Sequence, residues 1–295
     1  MAEINFVENF KWNEVELERG DPIREGLIAI FVIDCNLPRL IGTAFIVNAG
    51  GDHAFAISAA HCFEQVRKVI KPHQIHHHSA LKEFLPLEEK IDFSSVKGLF
   101  LCGDTVFACQ IEAAIWDNAS DLAVLKILAP ADNPALFRAN FFLDATIPLV
   151  GEEVVMIGYG EMKVDPDGDN PNIGKIELRP IVRVGHIEES HADGYFMLKS
   201  PCVETSIAIC GGMSGGAVAR WSNGDGLIRP FAFISHAPEP QPFMDRSLSG
   251  RSVASILNME LTPLDNGEQM LSMRVNNIGC GQVKADVVFP FYQDP

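Results

Sequence analysis

Ser214 lies in Cys210-Gly211-Gly212-Met213-Ser214-Gly215-Gly216-Ala217, a serine with glycines on both sides. Glycine permits positive φ and a close approach of backbone to a ligand, so the stretch suits a tight turn. A serine displayed there can attack a carbonyl carbon, with neighbouring backbone N–H groups facing the oxygen that gains negative charge. The hydroxyl needs a base to take its proton, and the base needs a carboxylate to hold its tautomer. Two residues fit. His61 follows a short apolar run in Ala56-Ile57-Ser58-Ala59-Ala60-His61-Cys62, and Asp121 opens the apolar run Leu122-Ala123-Val124-Leu125. A carboxylate at the edge of such a run is partly buried and requires a partner. The order His, Asp, Ser is one in which such triads occur. The chemistry available to the set is hydrolysis of an amide or ester through an acyl-enzyme.

The elements that must hold these residues read as strands. Leu27–Ile33, Ile41–Val47 and Ala54–Ser58 are short apolar runs separated by Cys35–Arg39 and Asn48–Asp52, both rich in turn formers. Further runs are Gly98–Leu101, Thr105–Ile115 and Leu122–Leu128, then, beyond a connection from Pro130 to Pro148, Glu153–Gly160, Ile176–Ile187, Tyr195–Leu198 and Pro230–Ser235. Short strands with frequent Gly and Pro predict an all-β sandwich or barrel. Arg251–Met259 is expected to be a short helix, and strand-like pieces recur at Met270–Val275 and Val287–Phe291. Residues 1–24 are polar and mixed, expected as an extension over the surface. No internal repeat is visible in the residue pattern.

The chain has 295 residues, 47% of them hydrophobic, enough for a substantial core, and a formal net charge of −16. Nucleic acid and anionic membranes select clustered Lys and Arg, which are absent, so neither is an expected partner. The N-terminal residues lack the basic start and apolar segment of a secretory leader, and no stretch reaches the ~18 apolar residues of a membrane span. The seven cysteines (Cys35, Cys62, Cys102, Cys109, Cys202, Cys210, Cys280) are odd in number. Together these features predict free thiols and a cytoplasmic location.

Three motifs in order resemble those of the chymotrypsin-like (trypsin-like) serine peptidases. Ser58-Ala59-Ala60-His61-Cys62 is similar to the histidine motif, Ser120-Asp121-Leu122-Ala123-Val124-Leu125-Lys126 to the aspartate motif, and Gly212-Met213-Ser214-Gly215-Gly216 to the serine motif. A fourth match is Met156-Ile157-Gly158-Tyr159-Gly160, and the likeness spans about residues 25–260. The resemblance implies two antiparallel six-stranded β-barrels with a cleft between them. The first lobe (25–135) would carry His61 and Asp121 and the second (136–260) Ser214, flanked by an extension (1–24) and a tail (261–295). It implies an endopeptidase with catalytic His61, Asp121 and Ser214, and an oxyanion hole from the N–H groups of Gly212 and Ser214. It implies no metal or organic cofactor.

The departures from the pattern are informative. Cys62 and Cys210 lack the partners that secreted members use for disulfides, which fits the intracellular, bacterial-type branch. Met213 stands where zymogen-activated members carry an aspartate that pairs with a newly cut N-terminus. The hole is therefore either preformed or set by a partner. By motif position Ala208, six residues before Ser214, falls at the base of the primary pocket, and Ser235-His236-Ala237 resembles the substrate-binding strand at its wall. Without an acid at the base, a neutral or apolar P1 residue is expected; His236 offers an acidic P1 as the rival. The expected partner is a protein or peptide substrate. The alternatives are a partner-activated regulatory protease and a retired protease fold acting as a binding module. The histidines at 73, 76, 77 and 78 and the acids Asp165, Asp167 and Asp169 read as solvated loops rather than metal sites.

Overall fold

The computed structural model describes residues 14–15, 17, 21–34, 37–63, 96–102, 105–130, 137–167, 170–220, 228–236, 250–257, 259–263, 269–276 and 284–290. The described residues are mostly in β-strands. Strands β2 (Leu27–Asp34), β3 (Leu37–Gly50), β4 (His53–Ala59), β5 (Val96–Cys102), β6 (Thr105–Asp117) and β7 (Leu122–Leu128) close a barrel in the order β2-β3-β4-β7-β6-β5. A second set comprises β8 (Glu153–Asp167), β9 (Asn170–His191), β10 (Cys202–Thr205), β11 (Ala217–Arg220), β12 (Arg229–His236) and β13 (Ser252–Ile256). It runs β9-β10-β13-β12-β11-β8 and closes through pairing of β8 with β9. All these pairings are antiparallel. The two strand orders are the same: the architecture repeats although the residue pattern does not. Closure removes exposed strand edges, and alternate side chains of every strand are left to fill two interiors.

The buried residues are mostly apolar. The strands of the first barrel bury Leu27, Ile28, Ile30, Phe45, Ile57, Phe100 and Leu125, and those of the second Met156, Val203, Val218, Phe231 and Ile234. The Pro130–Pro148 connection carries no strand among its described residues beyond a single bridge between Phe141 and Ile228. No helix among the described residues is long and apolar enough to cross a membrane.

Five expectations need correction. Arg251–Met259 is not a helix: Ser252–Ile256 is β13, paired with both β10 and β12. Without it the facing backbone groups of those two strands would lie unpaired in the barrel wall, a cost that outweighs local preference. Tyr195–Leu198 is a turn with Phe196 at φ 60, not a strand. Leu37–Arg39 and Asn48–Gly50, expected in turns, belong to β3. Asp165–Asp167, expected in a loop, belong to β8, and Asn170 and Pro171 to β9. The N-terminal extension is also not wholly superficial. Glu14 and Val15 form a two-residue strand, β1, buried against β9, followed by the short helix α1 (Pro22–Glu25) capped by Asp21. At the other end β14 (Met259–Pro263), β15 (Gln269–Asn276) and β16 (Lys284–Pro290) make a separate antiparallel sheet. The histidines at 73, 76, 77 and 78, together with Asp169, Cys35 and Cys280, lie outside the described residues.

Candidate active site

His61 comes from the helical turn that follows β4, and Asp121 from the turn before β7. These strands are neighbours in the first barrel, with Ala59 opposite Leu122, so the two residues meet at one barrel end. Asp121 Oδ2 lies 2.8 Å from His61 Nδ1, and Oδ1 accepts from the His61 backbone N–H at 2.9 Å. The Ala60 N–H donates to the Asp121 carbonyl at 2.7 Å. Asp121 has φ 57, a left-handed conformation that aspartate tolerates better than most residues. The turn is held there by Asp117, which accepts from Ala119 N–H and Ser120 Oγ, and by Ser255 Oγ on the Ser120 carbonyl. The Asp121 carboxylate is buried and takes a third hydrogen bond, from Ser235 Oγ at 2.6 Å. Both of its oxygens are thus engaged, and the His61 ring is oriented with Nδ1 toward the acid.

Ser214 lies on the loop between β10 and β11, half-buried, with Oγ 3.3 Å from the Ser235 carbonyl. Three features fix this loop. Met213 is fully buried in the second barrel beside Val154, Met156 and Ile181, so an apolar anchor occupies the position just before the serine. Gly212 has φ 97 and Gly215 φ 82; a Cβ on Gly215 would collide with the Thr43 carbonyl and Ser58 Oγ, and only glycine fits. Thr43 binds the loop to both barrels: its Oγ1 donates to the Gly212 carbonyl at 2.7 Å and accepts from Tyr159 N–H at 2.8 Å, while its N–H donates to the Ser214 carbonyl at 2.7 Å. The Met213 N–H is taken by the Cys210 carbonyl, whereas the N–H groups of Gly212 and Ser214 have no acceptor among the described residues. Two unclaimed donors beside the serine hydroxyl are what an oxyanion requires. Thr43→Val keeps the shape but leaves the Gly212 carbonyl and Tyr159 N–H unpaired. It should cost about 2–5 kcal/mol in urea denaturation; a loss below about 1 kcal/mol would show that the strut is replaceable.

Of the expected pocket residues, Ala208 lies in the same loop, half-buried, with its carbonyl accepting from Arg183 Nη1 at 2.6 Å. Ser235 is buried at the end of β12 and spends its hydroxyl on Asp121. His236 Nδ1 lies 3.0 Å from Ser235 Oγ, and its ring lies near Phe196. Since Ser235 donates to Asp121, its oxygen accepts from His236, which places that proton on Nδ1. Burial lowers the His236 pKa, opposed by Asp121 and aided by His61, which favours the uncharged ring. Ala237 lies outside the described residues. The sequence reading missed Thr43 and the Ser235 hydroxyl as site supports. Each is a polar residue in an otherwise apolar strand run, and that is the signal available for both.

Cys62, Cys102, Cys109 and Cys202 are free thiols. Cys62 Sγ contacts the Ser214 carbonyl at 3.8 Å, but burial first and the Asp121 charge second push its thiol far up, so it stays protonated. Glu189, His191 and Glu204 bring ligand atoms within 4.8 Å of one another. Two of them are already engaged: His191 Nε2 is 2.9 Å from Glu204 Oε1, and Arg251 Nη1 lies 3.6 Å from Glu204 Oε2.

A family model described as trypsin-like peptidase domain matches residues 42–225, more than half of the chain. Among solved structures, similarity is found to the active form of the Rv3671c protease from M. tuberculosis (14% identity, TM-score 0.44, covering 81% of this chain and 80% of that one). The inactive form of Rv3671c from M. tuberculosis H37Rv, a serine-to-alanine mutant, is also similar (14% identity, TM-score 0.42, covering 81% and 86%). No functionally curated protein matches at a significant level.

Proposed function

The chain belongs to the family of trypsin-like peptidase domains, and on that premise we propose that it is an active serine endopeptidase with a His61–Asp121–Ser214 triad. Ser214 Oγ attacks the scissile carbonyl while His61 Nε2 takes its proton. Asp121 stabilises the imidazolium, and His61 then returns the proton to the leaving amine. Water repeats the sequence to release the acyl group. The N–H groups of Gly212 and Ser214 receive the oxyanion. On this reading residues 25–135 and 136–260 are the two lobes, the substrate is a protein or peptide, and the chemistry calls for no cofactor.

The observation that carries the reading is the Asp121 carboxylate, which holds His61 at both its backbone N–H and Nδ1 and is itself held by Ser235. A retired site gains nothing from keeping a buried carboxylate so arranged. Met213 in the barrel core and the unclaimed N–H groups favour an oxyanion hole that is set without a partner. A neutral or apolar P1 residue fits Ala208 and an uncharged His236. A fluorophosphonate probe applied to the purified chain should label Ser214 and nothing in Ser214→Ala, and a peptide library should return neutral P1 residues. Folded protein that resists the probe would overturn the triad.

A further inference from the structure

The N-terminal strand reaches the active-site loop through two buried charges. Glu14 lies directly opposite Arg183 in the pairing of β1 with β9. Both residues are buried, with Glu14 Oε2 3.3 Å from Arg183 Nη2 and Oε1 2.8 Å from Arg179 Nη2. Arg183 then uses its other terminal nitrogen, Nη1, on the Ala208 carbonyl at 2.6 Å. Ala208 begins the segment that leads through Cys210 and Met213 to Ser214. A buried guanidinium without a countercharge is costly and seeks water or another anion. Glu14 supplies that countercharge. Two residues of ladder hold β1 on an already closed barrel, so the ion pair and the buried Val15 side chain provide much of its docking.

We propose that the N-terminal segment is a built-in positioning element for the active-site loop. Glu14, delivered by β1, compensates Arg183, and Arg183 fixes the Ala208 carbonyl at the pocket base. Glu14 and Arg183 are positioning residues; neither touches substrate. The proposal rests on the peptidase reading above and supplies its regulation, because whatever displaces β1 also releases the pocket loop. Met213 secures the serine end of the loop, and Glu14–Arg183 secures the pocket end.

The test compares wild-type, Glu14→Gln and Glu14→Asp full-length chains by fluorophosphonate labelling rate, kcat and KM on a cleavable peptide, and P1 profile, with active-site titration correcting for folded fraction. Glu14→Gln should lower kcat/KM about 10- to 100-fold, the scale of a small misplacement of site groups. The P1 profile should broaden, and Glu14→Asp should recover part of the loss. A merely structural Glu14 would lower the melting temperature while leaving kcat, KM and P1 profile of the titrated sites unchanged, and that result overturns the proposal. If Glu14→Gln fails to fold, Glu14→Asp decides alone: wild-type kcat/KM and P1 profile overturn it. Failure of the wild-type chain to label would instead sink the peptidase reading.

Discussion

Ser214→Ala is expected to lower turnover of a cleavable peptide by about 10⁶-fold, the scale for removing the nucleophile of such a triad. The fold should survive. The hydroxyl makes a long 3.3 Å hydrogen bond to the Ser235 carbonyl, and the loop is held by Met213, Gly215 and Thr43 rather than by the serine side chain. Stability should therefore stay within about 0.5 kcal/mol of wild type. The residual rate reports the oxyanion hole and substrate binding alone. Burst kinetics with an activated ester should vanish in the variant, because no acyl-enzyme can form. A folded variant keeping more than about one-hundredth of wild-type turnover would remove Ser214 from the mechanism.

Asp121→Asn should cost about 10⁴-fold in kcat near neutral pH, again with the fold retained. Asparagine tolerates the φ of 57 that this position demands, so the turn before β7 need not move. The chemistry changes instead. The carboxylate accepts from the His61 backbone, His61 Nδ1 and Ser235 Oγ, whereas an amide offers one acceptor oxygen and an NH₂ donor. With the NH₂ facing the ring, Nδ1 must become the acceptor, the proton moves to Nε2, and the base can no longer take the Ser214 proton. The fluorophosphonate labelling rate should fall in parallel with kcat. A loss below about tenfold, with labelling intact, would make Asp121 a structural residue of the His61 turn.

How far the site was legible follows from the range of each interaction. His61, Asp121 and Ser214 were readable because each sits in a short local signature: a strand end, an apolar edge, a glycine turn. Most strands of the first barrel were readable because runs such as Leu122–Leu128 carry their burial in their own composition. Met213 was noticed as a departure, but its role as an apolar anchor needed the barrel core around it. Ser235 was placed at the pocket wall as Ser235-His236-Ala237, yet its hydroxyl binds Asp121, 114 positions away. Thr43 reaches Gly212 and Tyr159, and Glu14 reaches Arg183, across similarly long separations.

By itself, then, the sequence determined the all-β class, the candidate triad residues and their order along the chain, since backbone propensity and side-chain chemistry are local properties. The tertiary structure alone decided the rest. It made Ser252–Ile256 a strand, because β10 and β12 present backbone groups that only a strand between them can satisfy. It turned Thr43 and Ser235 into supports for the site and drew Glu14 into the second barrel, because a buried polar group must find its partner wherever the fold brings one within reach.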